Sequence, residues 1–213
     1  MYATRQTHQN LALFDFDGTL CCQDSFTGFI FYALKKRHIM RQGIKIMAKI
    51  QAYYLQRYPA DQMRLTLFYA MFKDQDTAYI QNIANEYAMH LITQLDSQML
   101  IQLKAHQMRG DGVALVSASL DIYLKPLCDY LKIDLLCTQT EQKDEKFTGR
   151  YLGLDCSRAE KSRRVHEHYD LSQFNKIYAY GNSHEDEELL ALADYPFLVG
   201  RDIELPSLDL KSA

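Results

Sequence analysis

Two aspartates stand two positions apart in LALFDFDGTLCCQD, residues 11–24, at the end of an apolar run and just before a glycine and a threonine. Like charges this close repel, and burial makes each ionised carboxylate less stable still. A bound cation is the first candidate to compensate Asp15 and Asp17. A carboxylate can attack phosphorus to give an acyl phosphate, which splits a hard hydrolysis into two easier steps. On this reading Asp15 is the nucleophile. Asp17 protonates the leaving oxygen, then deprotonates the water that cleaves the intermediate. Alternate strand residues share a face, so both side chains can reach one substrate. Mg²⁺ suits oxygen ligands and a substrate phosphate, and it offsets the acidic crowding.

The elements that must hold these acids follow from the patterning. Residues 11–16 read as a short buried strand ended by a glycine turn. From Ser25 to about His90 there is one proline, Pro59, and two glycines, while Ile39, Gly43, Ile46, Met47, Ile50 and Tyr54 recur at helical spacing. This block reads as three or four helices with a break at RYPADQ. After Leu95 come a helix stopped by Gly110, the strand VALVSAS, a helix over 120–131, the strand DLLCTQ and a polar hairpin ending in KFTGRYLG. A helix over about 157–169, the strand KIYAYGNS, a helix over 184–193 and the strand PFLVG complete the chain. Strands alternating with helices predict an α/β fold, a parallel sheet with helices on both faces. The helical block is then an insertion between the first two strands. The expected division is 1–22 and 92–213 for the α/β core and 23–91 for a helical cap.

In such sheets ligands bind beyond the carboxyl ends of the strands. There lie Asp15 and Asp17, then Ser117, then Asn182 and Asp186, with Lys161 on the helix after the hairpin. Ser117 and nearby backbone N–H groups would hold phosphoryl oxygens, so Ala118, Gly18 and Thr19 are counted with it as substrate-binding. Lys161 would neutralise charge on the nucleophile and the transferring group. Each has an ordinary structural alternative. Serines end many strands, EKSRR suits a solvated helix face, and an acid in the first turn of HEDEELL suits the helix dipole. The order and strand-end placement of the whole set carry the weight.

These residues give the chain its resemblance to the haloacid dehalogenase superfamily, in its phosphoserine phosphatase-like branch (subfamily IB). The four motifs of that superfamily run in order: DFDGT at 15–19, the serine of LVSAS at 117, Lys161, and GNSHED at 181–186. The hairpin FTGRYLG ahead of CSRAEK also looks like this branch, and the resemblance spans Leu11 to about Gly200. It implies Mg²⁺-dependent phosphatase activity through an aspartyl phosphate, with the helical block as the family's mobile cap. It also implies a metal site made by Asp15, Asp17 and a residue of the last motif. The family usually has an acid where Asn182 stands. An amide oxygen can ligate Mg²⁺ without contributing charge, and Asp186 is the other ligand considered, directly or through water.

In phosphoserine phosphatases an acid nine residues after the nucleophile binds the substrate amine, and Asp24 occupies that position; QDSF is also a good N-cap sequence. The expected substrate is a small phosphorylated metabolite such as a phosphoserine-like compound. The alternatives are a lipid phosphate at a membrane surface and a catalytically weakened phosphate-binding module. The lipid alternative arises because Lys35, Lys36, Arg37, Arg41, Lys45, Lys49, Arg57 and Arg64 face only Asp61 across 31–64. Arg41, Lys45 and Lys49 fall at i, i+4 and i+8, a basic face that can rest on an anionic membrane. A net charge of −3 argues against electrostatic binding of nucleic acid. The N-terminal stretch shows no apolar h-region and no run is long enough to span a bilayer. Five cysteines without metal-type spacing suggest reduced thiols and a cytoplasmic setting.

Overall fold

The computed structural model of the chain describes residues 9–208. The outermost parts of the expected core, 1–8 and 209–213, lie outside the described residues, as does most of the N-terminal stretch read for a leader. Five strands form a parallel sheet in the order β3-β2-β1-β6-β7: β1 (Asn10–Phe14), β2 (Gly112–Leu120), β3 (Asp134–Thr138), β6 (Lys176–Gly181) and β7 (Tyr195–Leu198). β1 is central, and all five of its residues are buried. This is why its sequence runs apolar without alternation. On one face Ala12, Phe14, Leu115 and Tyr180 pack with Leu103 of α6 (Ser97–Arg109) and Leu127 of α7 (Asp121–Leu131). On the other, Leu11, Leu13, Val116 and Ala179 meet Val165 of α8 (Ala159–His168) and Leu189 of α9 (Glu187–Leu190). The α/β architecture inferred from the sequence is therefore the observed one.

Local signals explain the element ends. Asp96 caps α6 by accepting from the Met99 N–H, and Gly110 closes it at φ +85°. Pro126 lies inside α7 and cannot donate to the Ile122 carbonyl. That carbonyl instead accepts from Gln81 Nε2 at 2.9 Å.

Between β1 and α6 the structure has five helices, not three or four: α1 (Ser25–Ala33), α2 (Lys36–Lys45), α3 (Met47–Tyr54), α4 (Ala60–Phe72) and α5 (Thr77–Ile92). The extra break falls at Ile46, whose φ of −109° and ψ of 10° leave the helical range. The bend lets both α2 and α3 pack on α4. It also separates Lys49 from Arg41 and Lys45, so the three do not line one continuous helix face. Phe29 of the block stacks on Phe72 and packs at a tilt against Tyr87 and against Tyr123 of α7, and Tyr87 meets Tyr123 edge-on, joining the block's apolar interior to the sheet's. An antiparallel hairpin, β4 (Thr140–Lys143) and β5 (Lys146–Tyr151), braces the block, with Phe147 edge-on to Phe68. The expected helix over 184–193 is a 3₁₀ turn, His184–Asp186, followed by the single turn α9.

Candidate active site

β1 ends one residue before Asp15, and the chain turns at Gly18 (φ +80°). Asp15, Asp17, Gly18, Ser117, Ala118, Lys161, Asn182 and Asp186 all border one cavity at the carboxyl end of the sheet. Residues 146 positions apart meet here: Lys161 Nζ donates to Asp15 Oδ1 at 2.5 Å. It also donates to Asp186 Oδ1 at 2.5 Å. All three side chains are nearly sealed from solvent, at 6% exposure for Asp15, 2% for Lys161 and 1% for Asp186. Burial disfavours the charged form of Lys161, but the flanking carboxylates more than reverse this and hold it protonated. Burial raises Asp15 above the usual carboxylate range, Lys161 offsets part of that, and Asp186 adds to it.

Asp17 has different partners. Its carboxylate accepts from the Ser25 N–H at 2.6 Å and from Ser119 Oγ at 2.5 Å. Burial pushes its pKa up to about 6 against these bonds. A carboxyl group in that range can carry a proton near neutral pH and release it again. The motif reading does not single out Ser119 or Ser25. Ser119 carries a signal, because it lies two residues beyond Ser117 on the same strand. Ser25 carries none, since its reach to Asp17 depends on how α1 enters the block. Ser25 Oγ further contacts Ser119 Oγ and Tyr123 Oη, which ties the donors around Asp17 to α1 and α7.

Asp186 is spent on its surroundings. Its Oδ2 accepts from the N–H groups of Asn182 and Ser183, each at 3.0 Å, and from Ser183 Oγ at 3.1 Å. Its pKa is lowered: burial opposes this, but Lys161 and these donors outweigh it. The Asn182 carboxamide makes no hydrogen bond among the described residues and lies against Gly18, where a Cβ would collide with its Nδ2. The oxygen-only donor set of Asp15 and Asn182 beside a deeply buried acid suits Mg²⁺. Among the described residues no cluster of three or more His, Cys, Asp or Glu could hold a metal.

Gly18 and Thr19, expected to contact substrate, have partners within the chain. The Gly18 N–H is taken by Cys21 O and the Thr19 N–H by Phe16 O, because the turn closes on itself. Thr19 is buried, and its hydroxyl serves Asp15 Oδ2 at 3.0 Å. Asp24 borders the cavity, and it caps α1 by accepting from the Thr27 N–H and Oγ1 at 2.9 and 2.8 Å. Arg64 of α4 also reaches the site. It grips Asp155 with two bonds of 2.8 Å and Glu185 with two of 3.0 and 3.4 Å.

A family model described as haloacid dehalogenase-like hydrolase matches residues 12–191. The chain belongs to this family. It is a hydrolase. Within the family the chain is 26% identical to a histidinol-phosphatase of Neisseria meningitidis over 92% of this chain and 93% of that one. A solved structure of a protein of unknown function from Bordetella pertussis superposes with a TM-score of 0.74 at 26% identity, covering 90% of both chains. A probable phosphoserine phosphatase from Vibrio cholerae shares the fold, with a TM-score of 0.66 at 15% identity over 89% of this chain and 55% of that one.

Proposed function

We propose that this chain hydrolyses small phosphomonoesters with the help of Mg²⁺, through a phosphorylated Asp15. The observation that carries the reading is the pair of acids with opposite fates. Asp15 is pinned by a charged lysine, and Asp17 is held by neutral donors with a pKa of about 6. Asp15 attacks phosphorus, the bond from phosphorus to the leaving oxygen breaks, and Asp17 gives that oxygen its proton. Asp17 then takes a proton from water as the water oxygen attacks phosphorus, which releases phosphate and restores Asp15. Lys161 offsets negative charge on Asp15 throughout, and Ser117, which borders the cavity, would hold phosphoryl oxygens. Side-chain oxygens of Asp15 and Asn182 would hold Mg²⁺, which when bound supplies charge stabilisation for the phosphoryl group. Asp186 acts as the anchor for Lys161 rather than as a ligand. Residues 23–91 serve as the cap that shields the reaction from bulk water.

The relatives offer two soluble substrates to try first, histidinol phosphate and phosphoserine. The deciding experiment is turnover of p-nitrophenyl phosphate with and without Mg²⁺, with Asp15→Asn as control. Turnover by wild type alone supports the reading; equal inertness of both proteins overturns it in favour of a phosphate-binding module. One observation favours a second setting. Met40, Ile44, Tyr54 and Leu55 of the α2–α3 region are exposed beside its lysines and arginines, which suits contact with an anionic membrane. No described helix is long and apolar enough to cross one.

A further inference from the structure

The cavity over Asp15 is much larger than a phosphate needs. Its volume is about 750 Å³, within the range that encloses a drug-sized ligand. The wall supplied by α1–α4 is apolar, built from Ile30, Ile39, Ile50, Met63, Leu67 and Met71. Only two cations border the space among the described residues, and each is held by two acids. Lys161 pairs with Asp15 and Asp186. Arg64 pairs with Asp155 and Glu185. Asp24 and Glu185 add negative charge to the same lining. A carboxylate on the leaving group would therefore find acids and an apolar wall, with no cation free to pair with it. An unpaired charge in such a place is strongly disfavoured, whereas alkyl or aromatic surface gains from burial.

We infer that the leaving alcohol of the substrate carries an apolar body and no anionic group, so that the α1–α4 wall reads the body and the saturated cations reject a carboxylate. This rests on the phosphatase reading above. It separates the two substrates suggested by the relatives, because an amino-acid phosphate bears the carboxylate that the lining excludes and an amino-alcohol phosphate does not.

The test uses the full chain with Mg²⁺ and three sets of esters. In straight-chain alkyl phosphates from methyl to octyl, kcat/KM should rise by about fourfold per methylene over the first few carbons. In the matched pair O-phosphoethanolamine and O-phosphoserine, which differ by the carboxylate alone, the former should be favoured by at least about tenfold. Ile50→Lys places a free cation in the wall; relative to methyl phosphate in the same preparation, it should flatten the alkyl series and narrow the gap within the pair. Phosphatidate in phosphatidylcholine vesicles forms the third set. Its turnover at or above that of octyl phosphate assigns the apolar body to a lipid, and turnover of soluble esters alone assigns it to a free metabolite. A flat alkyl series, or preference for phosphoserine, with methyl and p-nitrophenyl phosphates still hydrolysed, overturns the inference and leaves the phosphatase reading standing. Inertness towards every ester overturns both.

Discussion

At Asn182 the chain offers a neutral oxygen where its family usually offers an acid, while Asp186, four positions on, has both carboxylate oxygens occupied. Asn182→Asp restores charge without changing shape. The Mg²⁺ concentration for half-maximal turnover should fall by roughly tenfold, since ligand charge tunes affinity. An unchanged titration would remove Asn182 from the ligand set. Gly18 makes a second point. At φ +80°, with the Asn182 carboxamide standing where a Cβ would project, it has neither conformational nor steric room for a side chain. Gly18→Ala should cost about 1–2 kcal/mol from the backbone alone. Turnover should drop by at least about 100-fold, because the displaced group, Asn182, lies in the site. A melting curve and a rate on the same preparation check both figures, and wild-type turnover would contradict the arrangement.

Among the elements, α4 ties the helical block to the segments around α8 and after β6 through an ion-pair bridge. Arg64 leaves α4 to meet Asp155, just ahead of α8, and Glu185, on the 3₁₀ turn after β6. Arg64 is 19% exposed and Asp155 9%, so the pair is largely shielded from solvent. A double-mutant cycle with Arg64→Ala and Asp155→Ala should show a coupling of about 1–3 kcal/mol in chemical unfolding. Additivity within about 0.5 kcal/mol would show that α4 is held by packing alone. The packing is substantial, because Phe68 and Phe72 of α4 stack with each other, and Phe147 of the hairpin meets Phe68.

Across the whole molecule, the end of the sheet opposite the acids holds a second buried polar network. His106 bonds through Nδ1 to Asp111 at 2.7 Å and through Nε2 to Tyr180 Oη at 2.8 Å. Asn10 and Arg109 also donate to Asp111. Burial lowers the His106 pKa below its ordinary value despite the Asp111 bond, which favours the neutral ring in the folded chain. The unfolded chain takes up a proton below about pH 6.5 that the folded chain refuses, so this group removes stability as pH falls through that value. Asp111 sits lower, at about 2: burial works against this, but its bonds to His106, Arg109 and Asn10 prevail. Its contribution is present above the ordinary carboxylate pKa and is lost only as pH falls towards about 2. Between pH 7 and 5, urea stability of wild type should therefore fall relative to His106→Gln, by at most about 1.4 kcal/mol per pH unit. Parallel pH dependences in the two proteins would show that His106 does not titrate on unfolding.

Taken alone, the residue pattern determined the alternation of strands and helices, the inserted helical block, and the arrival of Asp15, Asp17, Ser117, Lys161, Asn182 and Asp186 at one end of a sheet. Burial and periodicity are local properties, and parallel strands deliver their carboxyl ends to a common edge whatever lies between them. Tertiary structure alone decided which partner each group takes. Asp186 is consumed by Lys161 and two N–H groups, Thr19 turns inward to Asp15, and Ser25 and Ser119 close on Asp17. Arg64, one of a run of basic residues in sequence, becomes a bridge to Asp155 and Glu185. The bend at Ile46 divides a helix that the spacing alone would continue. Each of these is a contact between distant segments or a response to one, and a repeat in the sequence records which face a residue occupies, not what stands opposite it.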